Sequence, residues 1–270
     1  MTDSRVAVFG AGHLTAALVE GFSRAGTAPV SIYNRTPQRA VELARAFPIL
    51  RVFEDRVAFD SGKCPLLVVI PGRALLDALS AGMERLKTSG RVVVSCVNGL
   101  PLSVLEQRFP GIPWIKAIPN VAAAMGNSVT LMAKGAAAGE AEFRAVQQIF
   151  ESVGTVFRVE NDEEMDRLAV VTSCLPGLLG AILDEFAQTY ELDERQTREL
   201  LIESALGSLA LAKHNPAGLP GLVSSVCNPG GLTESGVLAI RKTFPPALAE
   251  LRSVLDRKQG LRRQQYLALR

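Results

Sequence analysis

Arg5-Val6-Ala7-Val8-Phe9-Gly10-Ala11-Gly12-His13-Leu14-Thr15 decides the reading of this chain. A short apolar run passes straight into G-x-G-x-x-T and from there into a helical pattern, the strand-turn-helix context in which a glycine loop binds a dinucleotide. Gly10 permits the tight turn and Gly12 lets the backbone approach a pyrophosphate. The helix start at His13 and Leu14 offers unpaired N–H groups to the anion. Thr15 stands where the fingerprint has a third Gly or Ala, so it must fit a place where helix and strand pack closely. The plainer alternative is a structural glycine turn in another α/β fold.

The next apolar run, Val30 to Asn34, ends in Asn34-Arg35-Thr36. A site for NAD places Asp or Glu at this strand end to accept from ribose hydroxyls. Here an arginine can bind a phosphate bidentately and Thr36 adds a hydroxyl, so NADP is expected, with NADPH preferred over NADH. The alternative is that Arg35 is a surface arginine at a strand end. Further runs follow at 66–70, 91–95, 114–118, 128–132 and 155–159, separated by helical patterns. That alternation predicts a parallel sheet with crossover helices. Leu66-Leu67-Val68-Val69-Ile70 is apolar throughout, as in a strand covered on both faces. Thr36-Pro37 reads as an N-cap followed by proline at the first helical position.

Beyond Val159 the polar segment Glu160-Asn161-Asp162-Glu163-Glu164 opens a region with no strand pattern. Helices are expected from Met165 to about Tyr190, kinked at Pro176-Gly177, and from Glu194 to His214. A Gly/Pro-rich loop is expected over Asn215 to Gly231, then a helix from a Thr233 cap to about Lys242, and a last helix after Pro245-Pro246. The fold class is therefore α/β: an N-terminal Rossmann-type doubly wound sheet, residues 1–160, followed by an all-helical dimerisation domain, residues 161–270. The helical part is too apolar all round to be buried by itself, which points to a homodimer through it, or a higher homo-oligomer. Arg262-Arg263 with Arg270 reads as a solvated helix face.

Composition narrows the function classes. The chain has 270 residues, 48% apolar and 21% charged, with net charge +2 spread along its length. This lacks the concentrated basic footprint of a nucleic-acid binder. Cys64, Cys96, Cys174 and Cys227 show no metal-ligand spacing, so no metal is expected, and free thiols suggest the reducing cytoplasm. Met1-Thr2-Asp3-Ser4 lacks signal-peptide character, and no apolar run approaches the roughly 20 residues of a membrane span. A small-molecule partner, without nucleic acid or membrane, is the expectation.

Substrate is expected where the nicotinamide domain meets the helical one. Two segments offer candidates: Ala117-Ile118-Pro119-Asn120, and Asn228-Pro229-Gly230-Gly231-Leu232-Thr233, whose backbone amides suit a carboxylate. With these residues in view, the sequence resembles the pyrroline-5-carboxylate reductase family over essentially its whole length. The glycine loop, the Asn-Arg-Thr strand end, the Pro-Asn pair and above all Pro-Gly-Gly-x-Thr carry the resemblance. It implies NAD(P)H as reductant, reduction of a cyclic imine, 1-pyrroline-5-carboxylate to L-proline, and a threonine, here Thr233, that holds substrate. Cofactor-binding candidates are Gly10, Gly12, His13, Leu14, Asn34, Arg35, Thr36, Ile70, Pro71, Asn98, Pro119 and Asn120. Substrate-binding candidates are Asn228, Gly230, Gly231, Leu232 and Thr233, with Thr233 also the catalytic candidate.

The chain departs from the family pattern in places. Val69-Ile70-Pro71-Gly72 stands for V-K-P-Q, with Ile70 replacing a lysine near the nicotinamide ribose. Lys116-Ala117-Ile118-Pro119-Asn120-Val121-Ala122-Ala123 stands for R-x-M-P-N-T-P-A. Thr172-Ser173-Cys174-Leu175-Pro176-Gly177 stands for S-G-S-G-P-A, and Asn228 replaces a serine. Imine reduction asks little of side chains because the protonated imine is already electrophilic, so positioning dominates. His13 and His214 read as structural or cofactor-contacting, and Thr233 orients substrate before it relays any proton. A β-hydroxyacid dehydrogenase would need a lysine on the first interdomain helix, and none occurs from Asn161 through Leu200. A reductase of another cyclic imine and a non-catalytic NADP-binding regulatory paralogue stay open.

Overall fold

The computed structural model describes residues 5–27 and 29–268. The readings placed on Met1–Ser4 and on Arg270 lie outside them. Eight strands form one sheet in the order β3-β2-β1-β4-β5-β6-β7-β8: Val6–Phe9 (β1), Val30–Tyr33 (β2), Leu50–Val52 (β3), Leu66–Val68 (β4), Val93–Ser95 (β5), Trp114–Ile118 (β6), Ser128–Lys134 (β7) and Gly154–Arg158 (β8). Strands β1 to β6 are parallel. The expected all-parallel sheet is corrected at one edge, because β7 runs antiparallel to β6 and β8 runs parallel to β7. The 119–127 link holds only a short 3₁₀ turn, Val121–Met125. A parallel return needs a crossover of about a dozen residues or more, so this link can only reverse the chain. Strand β3 is an addition: three residues at the sheet edge, too short to leave a periodic signal.

Period-2 geometry divides β1 between two cores. Ala7 and Phe9 join a cluster with Phe59, Leu75 and Trp114 on one face. Val6 and Val8 join Leu18, Phe22, Phe143 and Phe150 on the other. Both faces are covered, which is why the strands read as unbroken apolar runs. The crossover helices that matter for the site are His13–Arg24 (α1), Pro37–Ala46 (α2), Arg56–Asp60 (α3), Gly72–Ser89 (α4), Leu102–Arg108 (α5) and Glu140–Glu151 (α6). Thr36 is the N-cap of α2 and Pro37 its first residue, as expected.

Asp162–Ala169 (α7), a π-helical turn at Val170–Cys174 and Leu175–Thr189 (α8) run on as one 28-residue helix. It is long and apolar enough, by length and composition, to cross a membrane, which corrects the expectation that no segment comes near that length. The proline effect predicted at Pro176 appears as the π turn just before it. Without an N–H, Pro176 cannot reach the Thr172 carbonyl, and Asn120 Nδ2 donates to that oxygen instead at 2.9 Å.

Contacts divide the chain into one unit of residues 1–176 with 258–270 and a second of residues 177–257. The second contains Glu194–Gln196 (α9), a π turn at Thr197–Ile202, Glu203–His214 (α10) and Gly218–Val226 (α11). Leu232–Leu267 (α12) starts in it and ends in the first. Helix α11 replaces the middle of the expected loop. Pro220 sits in its first turn, where a missing amide costs nothing. Helix α12 replaces two expected helices, passing through Pro245 and Pro246. Its residues there are exposed, so the Arg241 and Lys242 carbonyls that lose helical donors remain open to solvent. Thr233 is therefore the second residue of α12 and not its cap.

A buried tie anchors the start of α7. Lys116 Nζ, fully buried, donates to Asp162 Oδ1 at 2.8 Å, and the other carboxylate oxygen accepts from Leu102 N at 2.9 Å. Strand β6, helix α5 and helix α7 thus meet on one carboxylate. Lys116→Met removes the cation and leaves Asp162 nearly buried without its partner; a loss of roughly 3–5 kcal/mol is expected in urea unfolding. An unchanged midpoint would show that the tie contributes nothing.

Candidate functional site

The glycine loop takes its shape from three strand ends. Gly10 N donates to Tyr33 O at 2.9 Å, and Val69 N donates to Phe9 O at 2.8 Å. Gly10 has φ +117°, and a Cβ there would run into the Val69 carbonyl and lie 2.7 Å from Ile70 Cγ2. Only glycine fits this position. Gly12 is the reverse case, with nothing within 4 Å of a Cβ. It precedes α1, whose first backbone bond runs from Ala16 N to Gly12 O. The preceding amides, those of His13 and Leu14 among them, have no acceptor inside the helix and face the mouth of the loop. His13 is exposed and Leu14 half-buried. Thr15 is wholly buried and its hydroxyl has no partner, so the fingerprint's small-residue position is filled without space for anything larger.

At the end of β2 the three candidates divide their work. Asn34 Oδ1 accepts from Ala11 N at 3.2 Å and its Nδ2 donates to Thr36 O at 2.8 Å. Asn34 therefore braces the loop from its own strand end. Thr36 caps α2 through its backbone alone, leaving its exposed hydroxyl uncommitted. Arg35 is exposed, and among the described residues nothing pairs with its guanidinium.

Beyond β1, away from β2, lie the ends of β4 and β5. Ile70 is half-buried against the core, and Pro71 precedes α4 as its N-cap. Asn98, half-buried after β5, has an amide oxygen with no partner. Such an orphaned acceptor marks a place that a ligand donor can satisfy. The Cys96 thiol beside it is pushed up to about 12 by burial, so it offers no thiolate. Pro119 and Asn120 are buried. Asn120 spends its side chain inside the protein: Oδ1 accepts from Ala122 N at 3.0 Å while Nδ2 serves Thr172. An open glycine, free helix amides, an arginine unpaired among the described residues and an orphaned amide oxygen together fit a nicotinamide adenine dinucleotide laid across the strand ends. Among the described residues no cluster of His, Cys, Asp or Glu has the makings of a metal site.

In the second unit, Asn228 to Gly231 forms a turn closed by Gly231 N donating to Asn228 O at 2.9 Å, with Gly230 at φ +73°. Asn228, Gly230, Leu232 and Thr233 are exposed and Gly231 is half-buried. The first bond of α12 runs from Ser235 N to Gly231 O, leaving the Leu232 and Thr233 amides without helical acceptors.

Comparison with known proteins gives two family matches, residues 5–99 to NADP oxidoreductase coenzyme F420-dependent and residues 162–257 to pyrroline-5-carboxylate reductase dimerisation. The pyrroline-5-carboxylate reductase of Mycobacterium leprae is 29% identical over 77% of this chain and 73% of its own length. That of Corynebacterium melassecola is 25% identical over 88% and 89%. The chain is thus similar to pyrroline-5-carboxylate reductases over most of its length, and its residues 162–257 match their dimerisation family. The solved pyrroline carboxylate reductase of Plasmodium falciparum, with NADP bound, shares the fold at TM-score 0.78, 15% identity and coverage of 99% and 98%.

For a pyrroline-5-carboxylate reductase relative, one residue at the 228–233 turn had escaped notice. Glu234 Oε2 accepts from Gly230 N at 2.7 Å, so the chain's own carboxylate already holds the amide on which an incoming carboxylate was expected. No motif signals this, because it depends on the glutamate folding back over one helical turn. Glu234→Ala is expected to free the Gly230 amide and tighten binding of L-proline by about tenfold in calorimetry, the scale of one charge-assisted hydrogen bond. Unchanged affinity would place that amide outside the carboxylate pocket.

Proposed function

We propose that this chain is an NADPH-dependent reductase of a cyclic imine, 1-pyrroline-5-carboxylate, which it converts to L-proline. The observation that carries the reading is the Asn228–Thr233 turn, with its open Leu232 and Thr233 amides, inside the segment that matches the pyrroline-5-carboxylate reductase dimerisation family. The cofactor domain is residues 1–160 and the helical dimerisation and substrate domain residues 161–270.

When bound, the nicotinamide supplies a hydride to the imine carbon. Gly10, Gly12, His13 and Leu14 would hold the pyrophosphate, Arg35 and Thr36 the 2′-phosphate, and Asn98 the nicotinamide end. Asn34, Asn120 and Pro119 keep the loops in place, and Ile70 and Pro71 would line the nicotinamide half. Leu232 and Thr233 amides take the substrate carboxylate beside Gly230, Gly231 and Asn228. The exposed Thr233 hydroxyl, beside these amides, would orient the ring nitrogen as that nitrogen, already protonated in the iminium, becomes the amine. No lysine is needed, and none occurs from Asn161 through Leu200. A second reading, a reductase of a cyclic imine that carries no carboxylate, draws support from Glu234 holding the Gly230 amide.

The active form is a homodimer through the helical domain. Ile182, Phe186, Leu206, Leu209, Ile240 and Phe244 are all exposed in one chain, more apolar surface than a monomer keeps. Burial of the same surface accounts for the apolar character of the Asp162–Thr189 helix. Free thiols at Cys96, Cys174 and Cys227 accord with the cytoplasm.

NADPH oxidation followed by absorbance with 1-pyrroline-5-carboxylate, and then with imines lacking the carboxylate, tests the assignment directly. Thr233→Ala is expected to lower kcat with NADPH affinity nearly unchanged, and unaltered steady-state kinetics would remove Thr233 from the site. Arg35→Ala is expected to weaken NADPH more than NADH by about 1.5–3 kcal/mol, the worth of a charged hydrogen bond. Equal weakening of both would refute the role given to Arg35.

A further inference from the structure

Residues 258–268 lie beyond the matched dimerisation segment and return to the first unit. Two contacts to one residue fasten them there. Gln259 Nε2 donates to Asp166 O at 2.6 Å, and Arg263 Nη1 reaches Asp166 Oδ2 at 3.3 Å, where the carboxylate is nearly buried. So held, the end of α12 lays two side chains on the two loops that follow β4 and β5. The half-buried Tyr266 ring lies over Gly72 so closely that a Cβ there would sit 2.6 Å from its Cζ and 2.8 Å from its Cε1. Arg262 lies over Gly99, where a Cβ would come within 3.1 Å of its Cδ.

Gly72 follows Pro71 at the start of α4, and Gly99 follows Asn98, whose amide oxygen is orphaned. Strands in a sheet are spaced about 4.8 Å apart, so the ends of β4 and β5 lie roughly 5 and 10 Å from the glycine loop, on the side away from Arg35. A dinucleotide that places its 2′-phosphate at Arg35 and its pyrophosphate at Gly12 therefore extends its nicotinamide half across these two loops. We propose that Tyr266 and Arg262 form a wall of the cofactor site, contacting the nicotinamide nucleotide half, so that the C-terminal segment is part of the cofactor-binding surface. This rests on the cofactor reading above.

The test is equilibrium binding to the full-length protein, by calorimetry, of two probes: NADPH, and adenosine 2′,5′-bisphosphate, which reaches only the adenosine half. Tyr266→Phe and Arg262→Ala are each expected to weaken NADPH by about tenfold, the scale of a lost hydrogen bond to a charged or ordered group, and to leave the bisphosphate within about twofold. Gly72→Ala, which must push the phenol away, is expected to give the same selective loss. The retained bisphosphate affinity also reports that each variant is folded. Equal loss of both probes, or loss of neither, overturns the assignment of Tyr266 and Arg262. Absence of NADPH binding to the unmodified protein would overturn the cofactor reading itself, a different failure from the first.

Discussion

Gly10 is where the ends of β1, β2 and β4 come together. Its amide closes on the Tyr33 carbonyl, and the Val69 carbonyl occupies the space that any side chain at position 10 would need. Because the backbone can turn there at φ +117°, helix α1 starts at once and aims its free amides across the strand ends. The brace from Asn34 to Ala11 then ties the loop to the second strand, which puts Arg35 beside it. Loss of the glycine would part the strand ends and with them the alignment of the amides, the arginine and the loops after β4 and β5.

A second constraint acts where the sheet gives way to helices. Asp162 accepts from the buried Lys116 and from the Leu102 amide, which fixes the first turn of the long helix. Fourteen residues beyond Asp162 the same helix loses a backbone donor at Pro176, and Asn120, on the turn after β6, replaces it. The proline thus becomes a docking point as well as a distortion. The Asn120 side chain, committed to Thr172 O and Ala122 N, thus ties the turn after β6 to the long helix.

Much of the fold was legible because its signals are local. Seven strands, the glycine turn, the Thr36-Pro37 helix start and the helices at 165–190 and 194–214 each declare themselves within a short window. What was misread depended on context. Three residues at an edge, Leu50–Val52, carry no period, and the direction of β7 follows from the length of the link before it. Pro220 and Pro245-Pro246 look like breaks in a sequence, yet a first helical turn and an exposed helix face tolerate them.

The sequence by itself determined that the chain has a glycine loop opening a helix, a strand end without a carboxylate, an apolar helical half and the Pro-Gly-Gly-x-Thr turn, since each is a pattern among near neighbours. Tertiary structure alone decided the partners: that Asn34 braces the loop while Arg35 stays unpaired among the described residues, that Asn120 reaches the Thr172 carbonyl, and that Tyr266 lies over Gly72 from nearly two hundred positions away. The reason is physical. Periodicity and turn chemistry act over a few residues of backbone, whereas which donor meets which acceptor depends on how distant segments pack, and no spacing along the chain encodes that distance.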